Sequence, residues 1–318
     1  MPAFDSMRFL LLLISVLGLG GTAAAQGVAT ITQTGDFSEA LVTQAGGPAT
    51  AAITQTNPHG DALTAYISQV GAVNEAEQVQ TINGRFNGSV ALDARTEQLA
   101  GGNTAVQAQT FSGNVSVAAM EASILQAGSG TASQTQTFTG LVTGSAIDAT
   151  ILQETGAGNT AAQTQTGAGK IFYATFQASV TQRGDGNAAT QAQTTQGSLA
   201  QTSLQAAIRQ DGDGNEAEQS QAARAAFDRA DVTAEIVQLG GGNEAEQTQV
   251  GGEGVFASLL QDGTDNRSGQ SQTGEDLRSI VEQFGVENLS IVTQSGAGHT
   301  AIVTQSGSNN RATVNQRN

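Results

Sequence analysis

Catalysis needs acids, bases or nucleophiles that converge, so the residues able to do chemistry come first. The chain has no cysteine, which removes thiol nucleophiles and thiolate metal sites. Its two histidines, His59 and His299, lie far apart and each falls near a turn. The segment Asp211-Gly212-Asp213-Gly214-Asn215-Glu216-Ala217-Glu218 is rich in oxygen ligands, and Asp211, Asp213 and Asn215 are its candidate calcium ligands. It lacks the glycine and the distal glutamate that an EF-hand requires, and aspartate is common in turns for backbone reasons alone. Glu216 and Glu218 recur one unit later as Glu244 and Glu246, with Arg267 at the matching place of the next unit. Stacked in register, like charges repel, so these glutamates form either a solvated face or a brake on premature assembly that ions would screen. No acid, base and nucleophile converge, and the expectation is a protein without catalytic residues, cofactor or enzymatic activity.

Composition narrows the class further. Of 318 residues only 13% are charged and 4% aromatic, while glycine supplies 40 and glutamine 36. Ordinary globular domains carry about 25% charged residues and a leucine-rich core. The net charge is −16 and Lys170 is the only lysine, so contact with nucleic-acid phosphates is not expected. Residues 1–25 have the plan of a secretory signal peptide: Arg8, an apolar stretch from Phe9 to Leu19, and Ala23-Ala24-Ala25 before Gln26. That stretch is too short to cross a ~30 Å bilayer as a helix. An exported chain without disulfides must draw its stability from another source.

That source is a repeat. The clearest copies begin at Gln182, Gln210 and Gln238 and read Q-x-G-x-x-N-x-A-x-Q-x-Q. Leading glutamines follow one another at 11 residues near both ends and at about 28 in the middle. Within each copy the period is two, which means strands. A-x-[I/V]-x-Q precedes the turn, as in Ala178-Val180-Gln182, and Asn187, Ala189, Gln191 and Gln193 alternate after it. One face keeps its residue type and should point inward, burying Val180, Gln182, Ala189, Gln191 and Gln193 and leaving Thr181, Ala188 and Thr190 outside. The G-x-x-N segment supplies the residues that tolerate positive φ in a tight reversal.

The predicted fold is therefore all-β, a β-solenoid of stacked strand-turn-strand repeats. Stacking in register at ~4.8 Å places like residues above one another. The amide ladder is expected to comprise Gln182, Asn187 and Gln193; Gln210, Asn215 and Gln221; Gln238, Asn243 and Gln249; and Gln305, Asn310 and Gln316. Residues 26–97 carry irregular repeats, 98–260 long ones and 261–318 short ones, in a single solenoid over 26–318. The long units carry about six extra residues, such as 199–204 and 224–231, together with Phe111, Phe138, Phe172, Phe176, Phe227 and Phe256. These inserts are expected to lengthen strands, with the phenyl rings packed between coils; a loop excursion is the alternative.

The pattern Q-x-G-x-x-N-x-A-x-x-x-Q resembles the curlin repeat of bacterial curli fibre subunits. Gln305, Gly307, Asn310, Ala312 and Gln316 fit it throughout, as do Gln69, Gly71, Asn74, Ala76 and Gln80. The resemblance runs from Gln33 to Gln316, although the family's unit of about 22 residues occurs only near the ends. It implies a secreted, cell-surface subunit of a Gram-negative bacterium that polymerises with itself into amyloid-like cross-β fibres for adhesion and biofilm matrix. It further implies a nucleator subunit, an outer-membrane export pore and periplasmic chaperones as partners. The alternative is a monomeric solenoid adhesin or a surface that binds ice or glycan. Ice binders present flat Thr-x-Thr rows, whereas here Gln-x-Gln repeats and threonine is expected at scattered outward positions. A polysaccharide lyase or hydrolase would need clustered Asp, Arg or Lys on one face.

Overall fold

A computed structural model describes residues 11–17, 27–35, 38–57, 62–83, 89–113, 117–140, 143–196, 199–224 and 230–318. They form β1 (Leu11–Leu17), β2 (Val28–Gly35), β3 (Ser38–Ala45), β4 (Ala49–Asn57), β5 (Ala62–Val70), β6 (Asn74–Asn83), β7 (Ser89–Gln98) and β8 (Thr104–Ser112). There follow β9 (Val117–Gln126), β10 (Ser129–Thr139), β11 (Ser145–Gln153), β12 (Ala157–Ala168), β13 (Ile171–Arg183), β14 (Ala188–Gln196), β15 (Leu199–Asp211) and β16 (Glu216–Arg224). The last are β17 (Ala230–Gly241), β18 (Glu244–Gly251), β19 (Val255–Thr264), β20 (Arg267–Glu275), β21 (Arg278–Val286), β22 (Leu289–Ala297), β23 (Thr300–Ser308) and β24 (Arg311–Arg317). Odd strands make one twelve-stranded sheet and even strands another, each in chain order. All pairs are parallel, so the chain winds as a β-solenoid. Of the expected signal peptide, only Leu11–Leu17 lies among the described residues, as a strand beside β3.

Period-two sequence becomes a two-faced wall. Val180, Gln182, Ala189, Gln191 and Gln193 are buried, while Thr181 and Ala188 are half-buried and Thr190 is exposed. Register follows residue type: Gln182 lies beside Gln210, and Gln210 beside Gln238. Among the described residues, register slips by one residue only between β10 and β12, where it shifts between Ser129 and Gly130. Glycine at the corners meets two demands at once. Gly274 has φ 138°, and a Cβ there would lie 1.8 Å from the carbonyl oxygen of Gly296 in the next coil. Only a residue without Cβ permits both that dihedral and a ~4.8 Å coil spacing.

The interior holds two apolar columns. One consists of Ala, Ile and Val with Leu259, from Ala40 and Val42 to Ala301 and Val303. The other exists only where strands are longer, from Leu63 to Leu277, and contains Phe111, Phe138, Phe176 and Leu204. The extra residues lengthen strands there: β13 and β15 have 13 residues each, against 8 in β2 and β3. Phe111 stacks on Phe138 at 5.9 Å between centroids, and Phe176 meets Phe138 edge-on at 5.8 Å, geometries that aromatic pairs favour.

Two of the expected phenyl rings do not join this column. Phe172 is exposed, in the stretch of β13 ahead of its pairing with β11, which among the described residues starts at Thr175. Phe256 falls between buried Val255 and Ala257, so alternation turns it outward, where the Arg278 guanidinium covers it at 5.2 Å. Phe227 and His59 lie outside the described residues. Replacing Phe138 by alanine removes a ring from the centre of the aromatic column and should cost about 3–5 kcal/mol. Phe172→Ala should cost less than about 1 kcal/mol, both read from urea denaturation midpoints with unchanged slope.

Candidate functional site

The chemistry that recurs through the whole molecule is the buried carboxamide. A first ladder runs along the odd sheet from Gln44 through Gln69, Gln98, Gln126 and Gln153 to Gln182, and on to Gln305. In it Gln182 Nε2 donates to Gln210 Oε1 at 2.9 Å, and Gln210 Nε2 to Gln238 Oε1 at 2.9 Å. A second ladder runs along the even sheet from Gln33 to Gln316 and contains Gln193, Gln221 and Gln249. A third, from Gln78 to Gln270, occupies the middle alone. Its column continues as Ile53 at one end and Val292 at the other.

All three ladders point the same way, each Nε2 donating toward the C-terminal neighbour. Backbone carbonyls hold that direction. Gln210 Nε2 also meets the oxygens of Ala188 at 2.9 Å and Asn215 at 3.0 Å, places where an amide oxygen would be repelled. The turn asparagines form a fourth column of opposite sense. The backbone N–H of Asn215 donates to Asn187 Oδ1 at 3.0 Å, that of Asn243 to Asn215 Oδ1 at 3.1 Å, and that of Asn310 to Asn288 Oδ1 at 3.1 Å. At the irregular coil Gly130 stands in the column, its N–H reaching Asn103 Oδ1 at 3.0 Å. His299 reproduces the asparagine contact, with Nε2 3.2 Å from Ser295 O where Asn310 Nδ2 lies 3.1 Å from Ser306 O.

Each ladder begins with an unmet acceptor. Gln33 Oε1, Gln44 Oε1 and Gln78 Oε1 are buried without a partner. At the far end Gln305 and Gln316 each spend one N–H on a carbonyl, Leu289 O and Thr300 O, and have a second to offer. The third ladder closes inside the molecule, where Gln270 Nε2 donates to Ser279 Oγ at 3.0 Å. Unmet bonding capacity of the two long ladders therefore sits at the two ends of the solenoid.

The candidate calcium ligands are not brought together. Asn215 points inward in its column. Asp213 Oδ1 accepts the Asp185 backbone N–H at 2.7 Å, as Asp185 Oδ1 accepts that of Ala157. Asp211 faces Arg209 at 3.4 Å and Arg183 at 3.7 Å. Among the described residues no group of three or more metal-ligating side chains gathers. Glu216 and Glu218 lie in register with Glu244 and Glu246, and Arg267 pairs with Glu244 at 2.8 Å. The bonding role of the turn carboxylates is absent from the linear repeat, since it depends on contact with the preceding coil.

Threonine is not scattered. Thr34, Thr56, Thr81, Thr110, Thr137, Thr166 and Thr194 occupy successive rungs of one outward column on the even sheet. Thr32, Thr54, Thr135 and Thr164 stand two residues before members of that column, which makes partial Thr-x-Thr rows. Insert lengths that differ from unit to unit hide this alignment in the linear sequence.

Replacing Gln193 by leucine removes a rung and leaves Gln221 Oε1 without its donor, so stability should fall by about 1–3 kcal/mol. Thr194→Val, outward and adjacent, should change it by less than about 0.5 kcal/mol in the same denaturation experiment. Acid dependence has a source in Glu154, hydrogen-bonded and ion-paired by Arg183, which holds its carboxyl below the usual range. A depressed folded-state pKa stabilises above the unfolded value and is lost as pH falls through the folded one. Both groups are substantially exposed, so the contribution is small. Glu154→Gln should flatten the fall in melting temperature between about pH 5 and pH 3.

Residues 287–317 match the family model of the curlin associated repeat. No curated protein matches the chain. The matched segment spans Asn288, Gln294, Gln305, Asn310 and Gln316, the last rungs of the asparagine column and of both long ladders. Those ladders run back through both sheets of the solenoid with the same residue types in register, so the segment similar to the curlin associated repeat continues a side-chain pattern found along the whole solenoid.

Proposed function

We propose that this protein is a secreted, non-enzymatic structural subunit that polymerises with itself into extracellular curli-like cross-β fibres of biofilm matrix and cell adhesion. One observation carries the reading: two uninterrupted glutamine ladders reach the ends of the solenoid with acceptors unmet at one end and donors on offer at the other. Strands β2, β23 and β24 lie at sheet edges at the same places, and β3 becomes an edge once residues 1–25, which include β1, are removed. The resemblance to curli subunits supports export by a leader peptide and an outer-membrane pore, escort by periplasmic chaperones and initiation by a nucleator. Stacked Glu216, Glu218, Glu244 and Glu246 would slow association until counterions screen them.

The test is a thioflavin and electron-microscopy time course on the purified chain lacking residues 1–25. Fibres should form, and deletion of residues 294–318 should lengthen the lag and slow elongation at fixed concentration. A chain that stays monomeric throughout would exclude the fibre reading. The threonine column favours a second reading, a monomeric solenoid whose even face binds ice or glycan. Inhibition of ice recrystallisation by monomer, abolished by Thr137→Lys, would establish the ice-binding form.

A further inference from the structure

How one copy would meet the next is constrained by strand number. From β2 to β24 there are 23 strands, an odd count, with β2 and β24 both in the even sheet. If a second copy follows without rotation and its β2 pairs with β24, the odd sheet lacks one strand between β23 and the second copy's β3. The gap is about twice the ~4.8 Å strand spacing. Strand β1 does not supply a ladder rung there, because Val16 stands opposite Gln44 and carries no amide. If β3 pairs with β23 instead, β2 and β24 claim the same position.

The end strands offer a solution that the middle does not. In the central coils the even strands place Ala, Gln, Gln inward, as in Ala189, Gln191 and Gln193, and the odd strands place Ala, an aliphatic residue and Gln, as in Ala178, Val180 and Gln182. At both ends this difference disappears. Ala29-Ile31-Gln33 in β2 matches Ala40-Val42-Gln44 in β3, and Ala301-Val303-Gln305 in β23 matches Ala312-Val314-Gln316 in β24. The side-chain bonds match as well. Gln44 Nε2 reaches Val28 O and Gln55 Nε2 reaches Glu39 O, while Gln305 reaches Leu289 O and Gln316 reaches Thr300 O, each 16 residues back. The two sheets are thus interchangeable at the ends and distinct between them.

Resting on the fibre reading above, we infer that successive copies join C-terminal face to N-terminal face with a half-turn about the long axis, so that each sheet of one copy continues into the other sheet of the next. Strand β23 then pairs with β2 of the second copy and β24 with its β3, once β1 has left the edge of β3. Consecutive strands run opposite ways across the coil, so the half-turn makes both new pairs parallel. Gln305 Nε2 donates to Gln33 Oε1 of the second copy and Gln316 Nε2 to its Gln44 Oε1, which meets two buried acceptors that the single chain leaves bare. Both ladders keep their direction, and the fibre is polar.

Outward positions next to the ladder report the joint. The half-turn places Thr304 beside Thr32 of the second copy and Asn315 beside its Thr43; an unrotated joint with β2 against β24 would place Asn315 beside Thr32 and leave Thr304 about two strand spacings from Thr43. Neighbouring strands at ~4.8 Å fall in the Cα range that a disulfide spans. The chain has no cysteine, and the paired positions lie at opposite ends, so any disulfide is intermolecular. Chains lacking residues 1–25 would carry Thr304→Cys with Thr32→Cys, Asn315→Cys with Thr43→Cys, or Asn315→Cys with Thr32→Cys. They would be assembled under reducing conditions, checked by microscopy and circular dichroism, then oxidised. The first two should give covalent dimers and higher oligomers that reductant dissolves, and the third none. Cross-linking of Asn315→Cys with Thr32→Cys alone overturns the half-turn while leaving the fibre reading intact. Fibres that cross-link in none of the three overturn end-to-end joining in favour of lateral association. Absence of fibres from the cysteine-free chain overturns both.

Discussion

A buried amide has to find another hydrogen-bonding group, and in this protein the partner is usually the same side chain one coil away. The backbone spacing of a parallel sheet, ~4.8 Å, is close to the distance over which one carboxamide can donate to the next. That coincidence lets glutamine serve as core material. An isolated buried glutamine would cost about 1–3 kcal/mol, whereas Gln182 is bonded on both sides by its neighbours Gln153 and Gln210. Strict register, glycine corners and small inward residues all follow from keeping those amides superimposed.

The same constraint explains why so few aromatics suffice. Two glutamine columns and a column of Ala, Ile and Val fill the narrow ends, and bulk is added only where strands are long enough to open a further column. Phe111, Phe138 and Phe176 occupy it on neighbouring rungs. The widened middle has distinct sheets, whereas the ends reduce to one shared half-coil. A mismatch in the middle is enclosed by identical neighbours; a mismatch at an end would face whatever docks there.

A ladder satisfies its interior and defers its shortfall to its termini. The two long ladders thus end with acceptors bare at one edge and donors on offer at the other. Charge acts in the opposite direction, because stacking a repeat also stacks its carboxylates. Glu216 over Glu244 is the repulsive counterpart of Gln219 over Gln247, and Arg267 relieves it at one rung.

Residue order by itself determined the all-β class, the period-two faces, the inward glutamines and the in-register coil, because each depends on spacing within one or two units. It also fixed the resemblance to curlin repeats, which the family model matched at residues 287–317. Tertiary structure decided what depends on neighbours one coil away. Phe172 is exposed in the stretch of β13 ahead of its pairing with β11, and the role of Asp185 and Asp213 comes from backbone N–H groups 28 residues earlier. The threonine column emerges only when units of unequal length are superimposed. Ladder direction lies furthest from the sequence, since an amide reads the same either way round. It is fixed by carbonyl oxygens 16 or 22 residues back that accept from Nε2 and would repel Oε1, and that choice leaves Gln33 and Gln44 bare at one end and Gln305 and Gln316 donating at the other.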